Sequence, residues 1–346
     1  MPEFTSKTVV TTILDPRQNY QRTNIETEIR YDPLTQETRR LAHFGAMIRV
    51  EKEDFSLLDT PESRQFCPFC PENIEKVTPR FPPELIEEGF LKRGQVRVIS
   101  NIAPYDQYSA LTIMGPKHLV TLKEFTIPLL KDSFQAGLDF CRLVAKKDQE
   151  LPYNIIAWNY MHPSGGGLTH PHQQVIITDH PGNLLRKNLE SSKEYYRSRG
   201  KNYWEELCRE EEKRGERFVA KLGRGYWLIP YAPLGVLGEY MVVFPQLHTI
   251  HDLQEEGIND LVEGLARLFK YLDSQNIYSF NMGLYFAPTG EAENYFSLHA
   301  RIVPRVFLNL KQRPPDTNIL HIILQEPYSV VWPEEQCSNL KPFFEK

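Results

Sequence analysis

The sequence predicts an α+β protein, mainly antiparallel sheet with packed helices, built from one unit used twice. Two observations carry this reading. The elements strand-strand-helix-strand-strand recur in the same order in two portions of the chain. The histidines that punctuate them keep nearly equal spacing, 52 residues from His118 to His170 and 51 from His248 to His299. A unit with a single helix buries one sheet face beneath that helix, which is the layering of an α+β fold.

In the first copy QVRVIS and SALTIM read as strands, and GPKH closes the second of them. FTIPLLKDSFQAGLDFCRLVAKKDQE then places apolar residues at helical spacing. NIIAWNY is a strand, a glycine-rich turn intervenes, and QQVIIT is another strand. The second copy repeats this order: YWLIPYA, EYMVVF closed by PQLH, the helix HDLQEEGINDLVEGLARLFKYLDSQN, then IYSFNMGLY and FSLHARIV. Residues 1–180 form the first half; residues 181–346 hold a linker and the second half. The linker, Pro181 to about Leu222, is dense in Glu, Lys and Arg and is expected to form one or two exposed helices with a solvated face. The first 60 residues read as polar and turn-rich, and TPRFPPEL and KQRPPDT as loops flanking the repeats.

With 41% hydrophobic and 25% charged residues in 346, the composition is that of a soluble globular protein. No apolar run approaches the roughly 18–20 residues that cross a membrane, so no membrane partner is expected. The start, MPEFTSKTVV, lacks the features of a secretory signal, and a cytoplasmic location is the expectation. A net charge of −5 with dispersed basic residues argues against nucleic acid as a partner. Five cysteines make no even disulfide framework. Cys141, within LDFCRLV, reads as a buried thiol.

Two cysteines stand apart. Cys67-Pro68-Phe69-Cys70 has the spacing that lets two thiolates meet one tetrahedral Zn²⁺. The further ligands are sought at strand ends, where His118 closes one strand and His170 opens another. A rival set uses His162, in NYMHPSGGG.

The stretch THPHQQVIIT places His170, His172 and Gln174 on one strand face, since side chains two apart point the same way. Just before it, the amides of Gly165, Gly166 and Gly167 have no Cβ to obstruct an anion. A neutral imidazole beside such a loop can attack phosphorus, giving a phosphoramidate reactive enough to pass its group onward. The Gln174 carboxamide can donate to a non-bridging oxygen. It has no titratable proton, which favours a covalent intermediate that waits for a second substrate.

His-Pro-His-x-Gln with an upstream Cys-Pro-Phe-Cys-Pro resembles the galactose-1-phosphate uridylyltransferase branch of the histidine-triad superfamily. Arg30-Tyr31-Asp32-Pro33-Leu34-Thr35 resembles that family's N-terminal R-Y-N-P-L-T signature, and the resemblance runs from about Arg30 to Pro304. It implies duplicated histidine-triad-type halves and a nucleotidylyltransferase of galactose metabolism. Such an enzyme passes an NMP group between a nucleotide-sugar and a sugar 1-phosphate. By the same resemblance His172 is the nucleophile and Gln174 steadies its intermediate. Cys67, Cys70, His118 and His170 hold one zinc per chain. Asn101 and Asn159 contact the nucleotide, Phe69 packs on the base, and the protein is a homodimer.

The departures are also legible. The family's second metal, an iron site of one Glu and three His, falls on Asn188, Leu284, His299 and Arg301, so that metal is expected to be absent. Gly167 replaces a Ser, Ile102 an Asp, and Gln173 the Gly inside the triad motif. Arg301 stands where His172 stands in the first copy, so only the first copy is expected to carry the chemistry. One rival reading is a phosphorylase of the same superfamily, with inorganic phosphate as acceptor and an ADP-sugar or dinucleoside polyphosphate as donor. Another is a catalytically silent, zinc-stabilised nucleotide-binding protein.

Overall fold

The computed structural model describes residues 1–42, 50, 52–291, 294–307 and 316–345. The chain opens with β1 (Ser6–Asp15), β2 (Gln21–Tyr31) and β3 (Thr38–Leu41), and α1 (Pro61–Phe66) and α2 (Ile74–Val77) bracket the Cys67–Cys70 turn. The first half follows as β4 (Leu91–Arg93), β5 (Val96–Ser100), β6 (Tyr108–Ile113), α3 (Ile127–Lys147), β7 (Tyr153–Tyr160) and β8 (His172–Thr178). Helices α4 (Gly182–Arg199) and α5 (Tyr203–Arg214) link it to β9 (Phe218–Leu222), β10 (Gly225–Leu228) and β11 (Tyr240–Phe244). Then come α6 (Glu255–Ser274), β12 (Ser279–Tyr285), β13 (Leu298–Arg305), α7 (Ile319–Ile322), β14 (Tyr328–Ser329) and α8 (Pro333–Phe344).

Both halves share one antiparallel sheet in the order β4-β5-β6-β8-β7-β12-β13-β11-β10-β9. The order reads the same outward from the β7–β12 seam in either direction, so the copies are related by a pseudo-twofold there. β4 and β9 each add an outer strand to the five-element unit expected from the sequence.

Alternation along the strands sorts side chains to two faces. One face, with Val98, Ala110, Trp158, Val175, Phe280, Leu284 and Ile302, is buried beneath α3 and α6 in a single core. Thr126 caps α3 by accepting from the Leu129 amide, and Pro128 sits in its first turn, where a missing N–H costs nothing. α6 approaches β10 so closely that a Cβ on Gly264 would lie 2.1 Å from the Trp227 ring, which explains a glycine in mid-helix.

The opposite face carries the polar residues, and each half has its own cover. Over the first half, Cys67, Phe69 and Cys70 pack on Ile99, Leu111 and Ile113. Over the second half, α4 and α5 bury Leu185, Leu189, Tyr203, Trp204, Leu207 and Cys208 against Leu228, Met241 and Val243. The charged linker is therefore not a merely solvated segment. Its few apolar residues recur at helical spacing among many charges, and that stripe closes a second core.

The first 60 residues also depart from the turn-rich expectation. β1, β2 and β3 form a four-stranded sheet with β14, which pairs parallel to β3. In β1 the apolar residues come as the adjacent pairs Val9-Val10 and Ile13-Leu14 among Thr8, Thr11 and Thr12, so no period of two shows. The Arg30–Thr35 motif closes β2 and anchors it. Arg30 pairs with Glu334 of α8 at 2.9 Å and donates to the Tyr231 carbonyl, and Asp32 Oδ1 accepts from the amides of Leu34 and Thr35. TPRFPPEL is irregular, as expected, whereas Lys311–Pro315 of KQRPPDT lie outside the described residues. Among the described residues no helix is long and apolar enough to cross a membrane, and all five cysteines are free.

Candidate active site and metal centre

Three chain segments converge at one end of the first half. The turn between α1 and α2 supplies Cys67 and Cys70, the chain beyond β6 supplies His118, and the residue preceding Pro171 and β8 supplies His170. All four are buried, and their ligand atoms lie within 4.8 Å of one another. Cys70 Sγ is 3.3 Å from His118 Nδ1 and 3.8 Å from His170 Nδ1, and Cys67 Sγ is 3.7 Å from His170 Nδ1. A tetrahedral ion with metal–sulfur and metal–nitrogen bonds of about 2.3 and 2.0 Å would space its ligands by roughly 3.3–3.8 Å. The cluster can hold one metal ion. His162, from the rival set, is not in it.

The protonation pattern fits a metal. His170 Nε2–H donates to the Gly115 carbonyl at 2.9 Å, which leaves the Nδ1 lone pair turned to the cluster. Burial holds His170 neutral, pushing it down to about 4. Burial, with the Cys67 thiol beside it, pushes Cys70 up to about 12. Thiols this deep ionise only against a cation.

His170 also places the next residue on its face. His172 Nδ1–H donates to the His170 carbonyl at 2.9 Å, so the ring is held as the tautomer whose Nε2 carries the lone pair. Burial lowers its pKa, so the imidazole stays neutral. The Phe69 ring stands edge-on to it, centroids 5.2 Å apart. Phe69 thus walls the strand end. Gln174 lies two residues on along the same face, between Leu111 of β6 and Ala157 of β7.

Extending the Ala157–Gln174 register by two residues sets Asn159 opposite His172, and Asn159 pairs with Asn281 of β12 across the seam. Asn281 Nδ2 donates to Asn159 Oδ1 at 2.7 Å and to the Ser164 carbonyl at 2.8 Å. The sequence reading did not single out Asn281. Its signal was a polar residue inside the apolar strand IYSFNMGLY, on the alternation opposite to Phe280 and Met282.

The glycine loop is tighter than the sequence suggests. Gly165 adopts φ +82° and donates its amide to the His162 carbonyl, and the Gly166 amide donates to Met161. A Cβ on Gly166 would lie 2.9 Å from the Met161 oxygen and 3.0 Å from that of Asn159. Gly166 is thus required by its own turn, and two of the three amides expected to meet an anion are committed within it. A Cβ on Gly167 would meet nothing within 4 Å.

Asn101 ends β5. Its Oδ1 accepts from the Ala103 amide and its Nδ2 donates to Ser109 Oγ, so the side chain braces the β5–β6 connection. Ser109 pairs with Ile176, four residues from His172 along β8, or roughly 13 Å.

In the second half the matched positions carry different contacts. Leu284 faces the helices in the main core, so it was never placed to meet a ligand; its neighbours Gly283 and Tyr285 hold the polar face. His299 is fully buried, donates Nδ1–H to the Ser297 carbonyl and stacks on Trp204, centroids 3.9 Å apart. Arg301 forms a two-point pair with buried Glu239, Nε to Oε1 at 2.5 Å and Nη2 to Oε2 at 3.0 Å. An aromatic stack and an ion pair thus occupy the region that corresponds to the first half's cysteine–histidine cluster and His172.

No family model matches the chain. An uncharacterized protein of Archaeoglobus fulgidus is 31% identical over 278 residues, spanning 80% of this chain and 81% of that protein. Among solved structures, an ADP-glucose phosphorylase of Arabidopsis thaliana with bound ADP-glucose superposes with TM-score 0.71 at 18% identity, covering 91% of this chain and 98% of that one. A galT-like protein of Arabidopsis thaliana gives 0.68 at 17% identity over 91% and 98%. A uridylyltransferase gives 0.65 at 20% over 92% and 98%. The chain belongs to one family with the Archaeoglobus fulgidus protein, and its fold is that of the ADP-glucose phosphorylase, the galT-like protein and the uridylyltransferase.

Proposed function

We propose that the protein is a zinc-containing nucleotidylyltransferase that moves a nucleoside monophosphate between a nucleotide-sugar and a sugar 1-phosphate through His172. The observation that carries this reading is the His172 tautomer. Its proton is committed to a backbone carbonyl, and its free Nε2 lies on a face shared with Gln174 and Asn159. Nε2 attacks the α-phosphorus; an N–P bond forms as the P–O bond to the departing sugar 1-phosphate breaks, and the oxygen keeps the electron pair. The Nδ1–H bond to the His170 carbonyl stabilises the positive ring that results. An incoming phosphate oxygen then attacks phosphorus, and the N–P electron pair returns to Nε2. Gln174 donates to a non-bridging oxygen in both steps without supplying a proton that would favour water.

Cys67, Cys70, His118 and His170 would hold the zinc, whose contribution is structural: it fixes His170, and through the His170 carbonyl the ring of His172. The nucleoside would lie along β8 toward Asn101, against Phe69 and Leu111.

The test is to incubate the protein with radiolabelled UDP-glucose or ADP-glucose, each labelled in its α-phosphate. Acid-labile, alkali-stable label on the wild type, absent from His172→Gly with zinc retained, is the expected result. Chasing the labelled protein with galactose 1-phosphate, glucose 1-phosphate or inorganic phosphate then identifies the acceptor. Full-rate labelling of His172→Gly would overturn the mechanism.

A further inference from the structure

We infer that Asn281 is a positioning residue, fixing the Asn159 carboxamide so that its N–H groups face the phosphate held at His172. The inference rests on the nucleotidyl-transfer reading and adds to it a role for the second half of the chain.

The orientation follows from the backbone. A peptide carbonyl can only accept, so the Ser164 oxygen requires a donor from Asn281, and Nδ2 lies 2.8 Å from it. The alternative amide orientation would set two oxygens against each other. With Nδ2 so fixed, its second hydrogen falls on Asn159, which must answer with Oδ1, at 2.7 Å. Each amide has one donor end and one acceptor end. The Asn159 Nδ2 is therefore turned away from Asn281. On its other side the strand register places His172.

The Ser164 carbonyl is itself held. Ser164 Oγ donates to the Met161 carbonyl at 2.6 Å, and Arg305 of β13 donates to the neighbouring Pro163 carbonyl at 3.3 Å. The turn, Asn281 and Asn159 make one chain of orientation from the second half to the site. A donor prepared in this way stabilises charge on a phosphoryl oxygen without reorganising during the reaction.

The expected results concern Asn281→Asp, Asn159→Ala and the double variant. A carboxylate at 281 cannot donate to Ser164 and accepts from Asn159, so the Asn159 amide turns and presents its oxygen to the phosphate. Asn281→Asp should slow His172 labelling by about 10²-fold, the effect of losing one such donor. Asn159→Ala should lose a similar factor. The double variant should be no slower than Asn159→Ala beyond roughly 2-fold, because the two residues act through one group. Asn281→Ala, which frees the Asn159 amide instead of turning it, should lose less than Asn281→Asp. All variants should keep metal content and melting temperature.

Losses that multiply in the double variant, or full-rate labelling of both Asn281 variants, would overturn the positioning role while leaving the nucleotidyl reading standing. A wild type that takes no label from either nucleotide-sugar overturns that reading, and this role with it.

Discussion

At the scale of single residues, reactivity is set by backbone atoms that no motif records. His172 and His170 are alike in sequence, yet each ring has one nitrogen bound to a different carbonyl, His170 Nε2 to Gly115 and His172 Nδ1 to His170. One therefore turns its free Nδ1 to the cysteine cluster, and the other leaves its Nε2 free. Their neighbour Gln173 points the opposite way, toward α3. It is fully buried, and both of its polar atoms, like Thr112 Oγ1 across the strand pair, lack partners. An unmet buried amide costs about 1–3 kcal/mol, and Met has a similar volume. Gln173→Met should therefore stabilise the protein by about that amount in urea unfolding, with metal content unchanged. A loss of stability would mean that a bound water satisfies Gln173 and Thr112 together.

At the scale of elements, the parts outside the repeats are joined by a buried ionic node. Arg217, ahead of β9, donates to Glu211 of α5 at 3.0 Å and to Glu334 of α8 at 2.8 Å, and Glu334 also receives Arg30 of β2. Glu211 Oε2 is left unpartnered. Burial outweighs the pull of Arg217 and pushes Glu211 up to about 7 from the ordinary 4.5. The raised value means that the fold favours the protonated acid. Its contribution is complete below pH 4.5 and is lost as the pH rises through 7. Glu211→Gln keeps the neutral form at every pH, so its stability relative to wild type should climb by about 3 kcal/mol between pH 4 and pH 8. Thermal melts across that range check this. A variant less stable than wild type at pH 8 would show that Arg217 keeps the carboxylate ionised.

At the scale of the whole molecule, one sheet carries two differently covered halves. The first cover is small and depends on the Cys67–Cys70 turn reaching Ile99, Leu111 and Ile113. The second is a two-helix cap with its own aromatic core. Removing the proposed zinc should therefore loosen only the first cover. Treatment with a strong chelator should lower the melting temperature and speed amide exchange in β5, β6 and the cysteine turn, with β10 and β11 unaffected. Uniform loosening would mean that the metal stabilises the sheet as a whole. Metal-free protein that is pure and fully stable would remove the zinc assignment.

Much of this was legible in residue order. The duplication showed in repeated element order and histidine spacing, because helical and strand periods survive divergence wherever one face must stay apolar. The convergence of Cys67, Cys70, His118 and His170 was legible because thiol pairs at that spacing and strand-end histidines are uncommon without a shared purpose. Other features depended on packing. Trp204 and Leu207 looked like stray apolar residues in a charged linker until α5 met Met241 and Val243. β1 shows no alternation because its apolar residues come in adjacent pairs, and it is exposed along most of its length. Leu284 was matched to a ligand position by counting, but a strand shows opposite faces at successive residues, and only the sheet reveals which face it joins. The glycine amides and Asn281 depended on contacts across the seam or within one turn. Strand and helix periods are local properties, whereas the direction of a hydrogen bond between distant strands exists only once the two halves have closed on each other.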